Sequence, residues 1–173
     1  MSAKTENTAK ALEAFLKYTV TQAKANLTRK KKNSTRALYD SLDYDYKVSQ
    51  NSFSASISAV DYAEFQDKGV SGKKKKYNTP FSYKDKIPPA SAFDKWIVRK
   101  GIAPRNAQGQ FQTRKGLAFA IARSVFINGI KPSLFLTTPF EKGFKKLPDE
   151  IIEAYGLDVE TFLKQIVNNG KKN

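Results

Sequence analysis

The stretch that decides how this chain is organised reads DYAEFQDKGVSGKKKKYNTPFSYKDKIPP, from Asp61 to Pro89. It opens with a short amphipathic turn and stops at Gly69 and Gly72, a residue type that tolerates positive φ angles. Four consecutive lysines, Lys73–Lys76, follow in a segment that prolines stiffen at its exit. Such a segment does not contribute to a hydrophobic core, so we expect the segment to contact an anionic molecule or another subunit. The alternative is a solvated lysine run on a flexible loop, because blocks of like charge are often no more than that.

Composition limits the class of protein. The chain has 173 residues, 40% hydrophobic and 12% aromatic, which is typical of a globular protein. A chain of this length buries about 70% of its unfolded surface, enough for a core. Lysine and arginine number 31 against 16 aspartates and glutamates, which gives a net charge of +15. This excess indicates nucleic acid, a phosphate-rich surface or an acidic partner; the alternative is a basic protein with no such partner.

The chain contains neither cysteine nor histidine. This removes disulfides, thiolate chemistry, the commonest general base and the Ser-His-Asp triad. We therefore expect no catalytic residue, no metal site and no cofactor. No apolar run approaches the roughly 18 residues that a membrane span needs, and the N-terminus has no signal-peptide core. We expect that the protein does not associate with a membrane and that it is assembled in a cytoplasm.

Periodicity predicts a long first helix and then a hairpin. From about Thr8 to Arg29, apolar residues recur every three or four positions and form one stripe. Two runs, Leu42–Val48 and Phe53–Ala59, then alternate apolar and polar residues around a turn, which predicts an antiparallel hairpin. The apolar face of this hairpin needs a cover, so we expect it to pack against the stripe of the first helix. The residues of the stripe are Leu12, Phe15, Leu16, Val20, Ala23 and Leu27.

Further helices are predicted in the second half of the chain. They cover residues 89–101 and 114–128 and begin again near Pro139 and Asp158. Trp96, the single tryptophan, is interpreted as a core anchor rather than a base-stacking platform. An irregular loop, Ala103–Thr113, precedes the second of these helices, which Thr113 caps. The predicted class is α+β: a long N-terminal helix packed on a small antiparallel sheet, with further helices and long extended loops.

Three carboxylates at helical spacing, Asp61, Glu64 and Asp67, raise the alternative of a magnesium-dependent nuclease. The same spacing describes an ordinary solvated helix face, which is the interpretation we favour. No phosphate-cradling motif is present, because the glycines before Lys73 lack the spacing of a P-loop. The sequence therefore predicts a very basic protein that is not an enzyme.

Two stretches resemble the neck, or tail-completion, proteins of long-tailed bacteriophages. That family combines a long first helix and β-strands with a Tyr-Ala-x-Phe/Val-x-x-x-Gly turn and a Pro-x-x-Phe-Leu-x-x-Pro/Ala segment that enters a helix. Here the matching stretches are Tyr62–Gly69 and Lys131–Pro139. The chain departs from the pattern at Lys68, where the family usually has an acid; Asp67 precedes it. The resemblance covers about half of the chain and implies one domain, 1–173, with a core at about 8–72 and 129–147, an inserted helical and loop region at about 73–128 and a helical extension at 148–173.

The resemblance implies a structural virion protein of the neck, a head-tail connector without enzymatic activity. Such a protein forms a ring between portal and tail around the DNA channel, and it reaches the virion after assembly in the bacterial host cytoplasm. The implied partners are further copies of the chain, the neighbouring portal, adaptor and tail proteins, and the double-stranded DNA that passes through the lumen. The competing hypothesis is a free, sequence-independent nucleic-acid-binding protein, which the charge alone does not distinguish.

The two long loops, Val70–Ile87 and Ala103–Thr113, are the expected contact sites. Loops longer than about 12–15 residues are uncommon in compact domains unless they bind something or are disordered. We expect both to be mobile in the free subunit and to order against neighbouring subunits or the portal-side ring. The alternative is that the lysines at the tip face the DNA, and we favour protein contact because aromatic residues flank the lysines. We also expect the acidic stretch Pro148–Glu160 to meet a basic surface of an adjacent copy. The predicted contact residues are Lys73, Lys74, Lys75, Lys76, Tyr77, Phe81, Tyr83 and Phe111. The predicted DNA-facing residues are Arg29, Lys30, Lys31, Lys32, Arg105, Arg114 and Lys115.

Overall fold

A computed structural model describes residues 6–49, 52–154 and 156–157. The helices are α1 (Glu6–Arg29), α2 (Ala37–Ser41), α3 (Ala63–Lys68), α4 (Ser91–Arg99), α5 (Arg114–Asn128), α6 (Thr137–Phe144) and α7 (147–154). Strands β1 (Asp43–Val48) and β2 (Phe53–Ser58) form a two-stranded antiparallel sheet between α2 and α3. The predicted α+β class, with a long N-terminal helix and a small antiparallel sheet, is confirmed.

The described chain separates into two compact units. Unit 1 contains α1, the hairpin, α6 and α7. Unit 2 contains residues 30–37 and 61–134, and with them α3, α4 and α5. Residues 61–72 and 129–134 group with 73–128 in this division. The prediction of one domain with a core at 8–72 and 129–147 stays a prediction.

The core of unit 1 forms where α1 meets the hairpin. Helix α1 begins two residues before the predicted start and buries the predicted stripe, because residues three and four apart share one face. A buried cluster of Leu12, Phe15, Leu16 and Leu147 is covered by Tyr44, Tyr46, Val48, Ile57 and Ile151. The prediction that the hairpin packs against the first helix is confirmed.

The two strands of the hairpin contribute unequally to this core. The register runs from Asp43 opposite Ser58 to Val48 opposite Phe53, and β1 alternates exposed and half-buried residues as the pattern predicts. On β2 only Ile57 is half-buried, and Phe53 is 53% exposed. Phe53 instead lines an open apolar groove of about 450 Å³ in unit 1, beside residues of α1 and α6.

Unit 2 is built on the contact between α4 and α5. Thr113 caps α5 as predicted, since its side chain accepts a hydrogen bond from the Gly116 N–H, at 3.2 Å. The buried face of α5 holds Ala118 and Ala122, whereas Ala120 is exposed. On α4 the buried residue is Ile97 and Trp96 is half-buried.

The end of the described chain differs from the pattern in detail. Helix α6 begins at Thr137, so Pro139 lies in its first turn and is buried. Leu147 belongs to the next helix, α7. The helix predicted from Asp158 and most of the predicted extension 148–173 lie outside the described residues. Within the described part of the chain, no helix has both the length and the apolar character that crossing a membrane requires.

Candidate nucleic-acid interface

Positive charge is concentrated in unit 2. Residues 30–37 and 61–134 hold 19 of the 31 lysines and arginines but only five of the 16 acids. The net charge of this unit is therefore +14, against +15 for the whole chain. The rest of the chain carries 12 basic and 11 acidic residues and is close to neutral. An anionic partner is consequently attracted to unit 2.

The acids of unit 2 leave most of this excess uncompensated. Glu64 pairs with Lys68 at 2.6 Å, and Asp94 pairs with Arg114 at the same distance. Asp85 lies 3.7 Å from the ammonium group of Lys73 in an exposed pair. Exposed pairs of this kind contribute little to stability. They also leave most of the 19 cations of the unit available to an external anion.

The turn at Tyr62–Gly69 and the segment before α6 lie side by side in unit 2. Val70 and Ile130 exchange two backbone hydrogen bonds, at 2.9 and 2.8 Å. Farther along, the Leu134 N–H donates to the Asp67 carbonyl at 2.9 Å. Gly69, at φ 75°, is required here, because a Cβ would lie 2.5 Å from the Ile130 carbonyl oxygen. The two stretches that resemble the phage family are therefore in direct contact.

Gly72 and Gly129 bring the two ends of the intervening region 73–128 together. A Cβ on Gly72 would lie 2.3 Å from the Ile127 carbonyl oxygen and 2.4 Å from the Gly129 nitrogen. Only glycine allows the backbone to approach this closely. Residues 73–128 thus leave and rejoin the rest of unit 2 at adjacent points.

The lysine loop, Lys73–Lys76, is fixed by the end of α5. The Lys73 N–H donates to the Phe126 carbonyl at 2.9 Å, and the Lys74 N–H donates to the Ile127 carbonyl at 3.0 Å. The Lys75 N–H approaches the same Ile127 oxygen at 3.4 Å. These oxygens belong to the last turn of a helix, where carbonyl groups have no partner within the helix. The backbone of the loop therefore serves as the cap of α5.

The segment after the lysine loop is folded back on Ser71. This buried serine exchanges side-chain hydrogen bonds with the Tyr77 backbone, at 3.0 and 3.2 Å. Its own N–H donates to the Phe81 carbonyl at 2.8 Å, and its carbonyl accepts from the Tyr83 N–H at 2.9 Å. Sequence reasoning missed this residue, because a serine between glycine-rich turns carries no burial signal.

The aromatic residues beside the lysines have partners within unit 2. The Phe81 ring packs edge-on against Phe65, with centroids 4.5 Å apart, and the Tyr83 ring lies 6.3 Å from that of Phe126. Partial burial raises the pKa of Tyr83 above the usual value for tyrosine. Lys75 lies over the Tyr77 ring at 5.8 Å. The mobility of Val70–Ile87 in the free subunit stays a prediction, and Phe81 and Tyr83 are half-buried within unit 2.

The side chains of the lysine loop are exposed and only partly engaged. Lys73 faces Asp85, and the Lys76 ammonium group donates to the Gly72 carbonyl at 2.9 Å. Lys74 makes no side-chain ion pair or hydrogen bond to any residue that the structure describes. Lysine ammonium groups on a fixed backbone bind phosphate as point charges, without geometric selection among sequences.

The loop Ala103–Thr113 contains a tight backbone turn. Arg105 and Phe111 form an antiparallel bridge, and the Asn106 side-chain oxygen accepts hydrogen bonds from the Gln108 and Gln110 N–H groups, at 3.0 and 2.8 Å. The Arg105 guanidinium lies 3.9 Å from the centroid of the Phe111 ring. Phe111 is 71% exposed, so this predicted contact residue is available at the surface.

The seven predicted DNA-facing residues fall in separate segments and differ in engagement. Four of them make side-chain hydrogen bonds as donors. Arg29 donates to the Asn26 side chain, and Lys30 donates to the Ser133 carbonyl. Arg105 donates to the Gly109 carbonyl, and Arg114 donates to the Asp94 carboxylate. The other three are exposed, and their side chains have no ion pair or hydrogen bond among the described residues: Lys31, Lys32 and Lys115.

The three carboxylates considered for a nuclease do not meet. Asp67 is buried, whereas Glu64 is exposed and paired with Lys68. Within the described residues, no group of three or more acidic side chains is placed to hold a metal ion.

Family models, curated proteins and solved structures give no match to this chain.

Proposed function

We propose that this chain is a structural protein of the phage neck. Its copies form a ring between portal and tail, and unit 2 neutralises the phosphates of the double-stranded DNA in the channel. The observation that carries this proposal is the charge distribution: a net +14 on unit 2 against near neutrality elsewhere. Phosphate contacts hold DNA without reading its bases, which suits a genome that must slide past the protein.

The contact between the two resembling stretches supports the same proposal. The resemblance treats residues 73–128 as an insertion between Tyr62–Gly69 and Lys131–Pro139. An insertion is tolerated when its two ends lie close together, because the host fold then closes around it. Gly72 and Gly129 meet that condition, since a Cβ on one would lie 2.4 Å from the backbone nitrogen of the other.

Unit 1 supplies the kind of surface that ring assembly needs. Phe53, Phe140 and Phe144 are exposed, and all three line the open groove of unit 1. Exposed apolar clusters of this kind are typical of protein contact sites. A second copy of the chain is the occupant that this proposal assigns to the groove, in a head-to-tail contact that closes a ring when the rotation permits.

Two measurements on the purified protein test the proposal. Mass photometry and negative-stain electron microscopy, with and without linear duplex DNA, are expected to show closed rings with a central channel. Binding to two duplexes of equal length and unrelated sequence is expected to give equal affinities that fall steeply with salt. No magnesium-dependent cleavage of either duplex is expected.

The outcomes separate the two hypotheses. A protein that binds both duplexes but stays monomeric or dimeric under all conditions is a free nucleic-acid-binding protein, and the neck proposal is then wrong. Rings that do not bind DNA would support the proposed assembly and would contradict the DNA-binding role proposed for unit 2. A monomer without DNA affinity would contradict both hypotheses.

A further inference from the structure

We infer that the lysine loop, Lys73–Lys76, is the surface of unit 2 that contacts the phosphate backbone. This inference rests on the proposed function and adds the location of the DNA contact, which the basic composition alone leaves open. Three features of the described residues carry it: a fixed backbone, exposed side-chain charges that the fold engages only in part, and flanking aromatics that pack within their own unit.

The backbone of the loop is held before any ligand arrives. Its amides donate to the Phe126 and Ile127 carbonyls, and the Gly72 N–H closes a turn on the Lys75 carbonyl at 2.8 Å. A binding surface with a fixed backbone loses less conformational entropy on association than a flexible loop does. The exposed lysines are therefore presented as a set.

The fold depends on the backbone of these residues and makes little use of their charges. Lys73 has one exposed ion pair, Lys76 has one hydrogen bond to a carbonyl, and Lys75 has one contact with the Tyr77 ring. Backbone amides supply the cap of α5, and any residue except proline has such an amide. The negative end of a helix dipole is equivalent to about half a charge, so it favours one nearby cation and does not account for four. Four adjacent cations repel one another, and an external polyanion removes that repulsion. The excess of charge therefore points to a ligand.

The surroundings favour a polyanion over a protein partner. A protein interface needs accessible apolar side chains at its centre, where lysine is depleted. Here Phe81 and Tyr83 pack on Phe65 and Phe126 within their own unit. The most exposed side chains of the loop are its lysines, and Lys74 has no side-chain ion pair or hydrogen bond within the described part of the chain. Duplex DNA offers a dense row of phosphates to such a surface.

The test compares two matched pairs of lysines. The variant K74Q/K75Q removes two charges from the loop, and K145Q/K146Q removes two from unit 1. Both pairs are exposed and adjacent, and in both the backbone N–H groups donate to the last carbonyls of a helix, α5 for Lys74 and Lys75 and α6 for Lys145 and Lys146. Circular dichroism confirms that each variant is folded, and fluorescence anisotropy measures duplex affinity against salt concentration.

The plot of log affinity against log salt has a negative slope, and K74Q/K75Q is expected to make it less steep by about 2. The ratio of wild-type affinity to variant affinity then falls about tenfold between roughly 50 and 200 mM salt. K145Q/K146Q is expected to keep the wild-type slope. The inference is overturned if wild type binds DNA and both variants keep its slope, or if K31Q/K32Q alone lowers it. Wild type that binds no DNA at all would reject the proposed function itself.

Acetylation of the exposed ammonium groups, mapped by mass spectrometry, separates DNA contact from subunit contact. Acetylation of Lys74 and Lys75 is expected in the protein alone, whether or not it is assembled, and protection is expected when duplex DNA is added. Protection that appears on assembly without DNA would assign the loop to a subunit contact and overturn the inference.

Discussion

Replacing Phe15 with alanine tests the core of unit 1 directly. Phe15 is 6% exposed and belongs to the buried cluster that joins α1 to the hairpin and α7. Its ring also packs edge-on against two aromatic rings of α6, Phe140 at 5.5 Å and Phe144 at 6.5 Å between centroids. Truncation removes all of these contacts at once.

The expected loss in free energy of unfolding is about 3 kcal/mol. Buried phenylalanine-to-alanine changes cost about 3–5 kcal/mol, and the upper values arise where the surroundings cannot close around the cavity. Phe15 borders the open groove of about 450 Å³, so neighbouring side chains and water have access to the space that the ring leaves. This access places the cost near the lower end of the range. For a protein of this size, about 3 kcal/mol lowers Tm by about 6–12 °C.

Thermal unfolding followed by far-ultraviolet circular dichroism measures this change. The matched control is Phe119→Ala, the same substitution in α5 at a residue 56% exposed, which is expected to shift the free energy by about 0.5 kcal/mol or less. Trp96 fluorescence reports on unit 2 and shows whether the loss stays in unit 1. Equal melting temperatures for the two variants would refute the assigned contact between α1, the hairpin and α6.

Two further predictions concern glycines. Gly143→Ala adds up to about 1 kcal/mol of helix propensity, but its Cβ would lie 2.9 Å from the Phe15 ring. We therefore expect this substitution to stabilise the Phe15→Ala variant and to be neutral or destabilising in the wild-type protein. A double-mutant cycle by urea unfolding measures this, and equal effects in both backgrounds would contradict it. Gly72→Ala is expected to cost about 1–3 kcal/mol more than Gly156→Ala, because neither glycine has a positive φ and only the first Cβ meets backbone atoms, those at the end of α5. Urea unfolding monitored by Trp96 fluorescence provides the comparison, and equal midpoints would show that the lysine loop does not lie against α5.

Local patterns were sufficient for the long helices and the hairpin, but they did not predict the short helix α2 or the helix α7. The stripe of α1 and the alternation of β1 depend on residues a few positions apart, and the sequence contains that information. The Thr113 cap is equally local, because a side chain and an N–H three residues away form it. In α5 the pattern was ambiguous, since apolar residues occur on every side of the helix. The buried face, with Ala118 and Ala122, is decided by contact with α4, which periodicity does not show.

The candidate site was predictable in composition and not in geometry. The sequence identified Lys73–Lys76 as an exposed charged set, and they are exposed. The structure adds backbone hydrogen bonds from this loop to a helix end some 50 residues farther along the chain. Backbone bonds between distant segments leave no mark in a pattern of side chains. For the same reason Ser71, a single small residue, gave no sign that it would hold the segment up to Tyr83.

The two ends of α5 set a further condition on the anion that unit 2 is proposed to bind. Arg114 and Lys115 begin this helix with no acid in its first turn, although cations at a helix N-terminus are unfavourable. The lysine loop adds positive charge at the other end, where the dipole favours it. A 15-residue helix is about 22 Å long, more than twice the Debye length of roughly 8 Å at physiological salt, so a compact anion at one end does not influence the other. Duplex DNA rises about 3.4 Å per base pair, and six or seven base pairs would span both ends. Arg114 is paired with Asp94, and Lys115 has no side-chain ion pair or hydrogen bond among the described residues. Under the proposed function, an extended polyanion contacts the cations at both ends of α5, whereas the helix dipole favours only those at the C-terminal end.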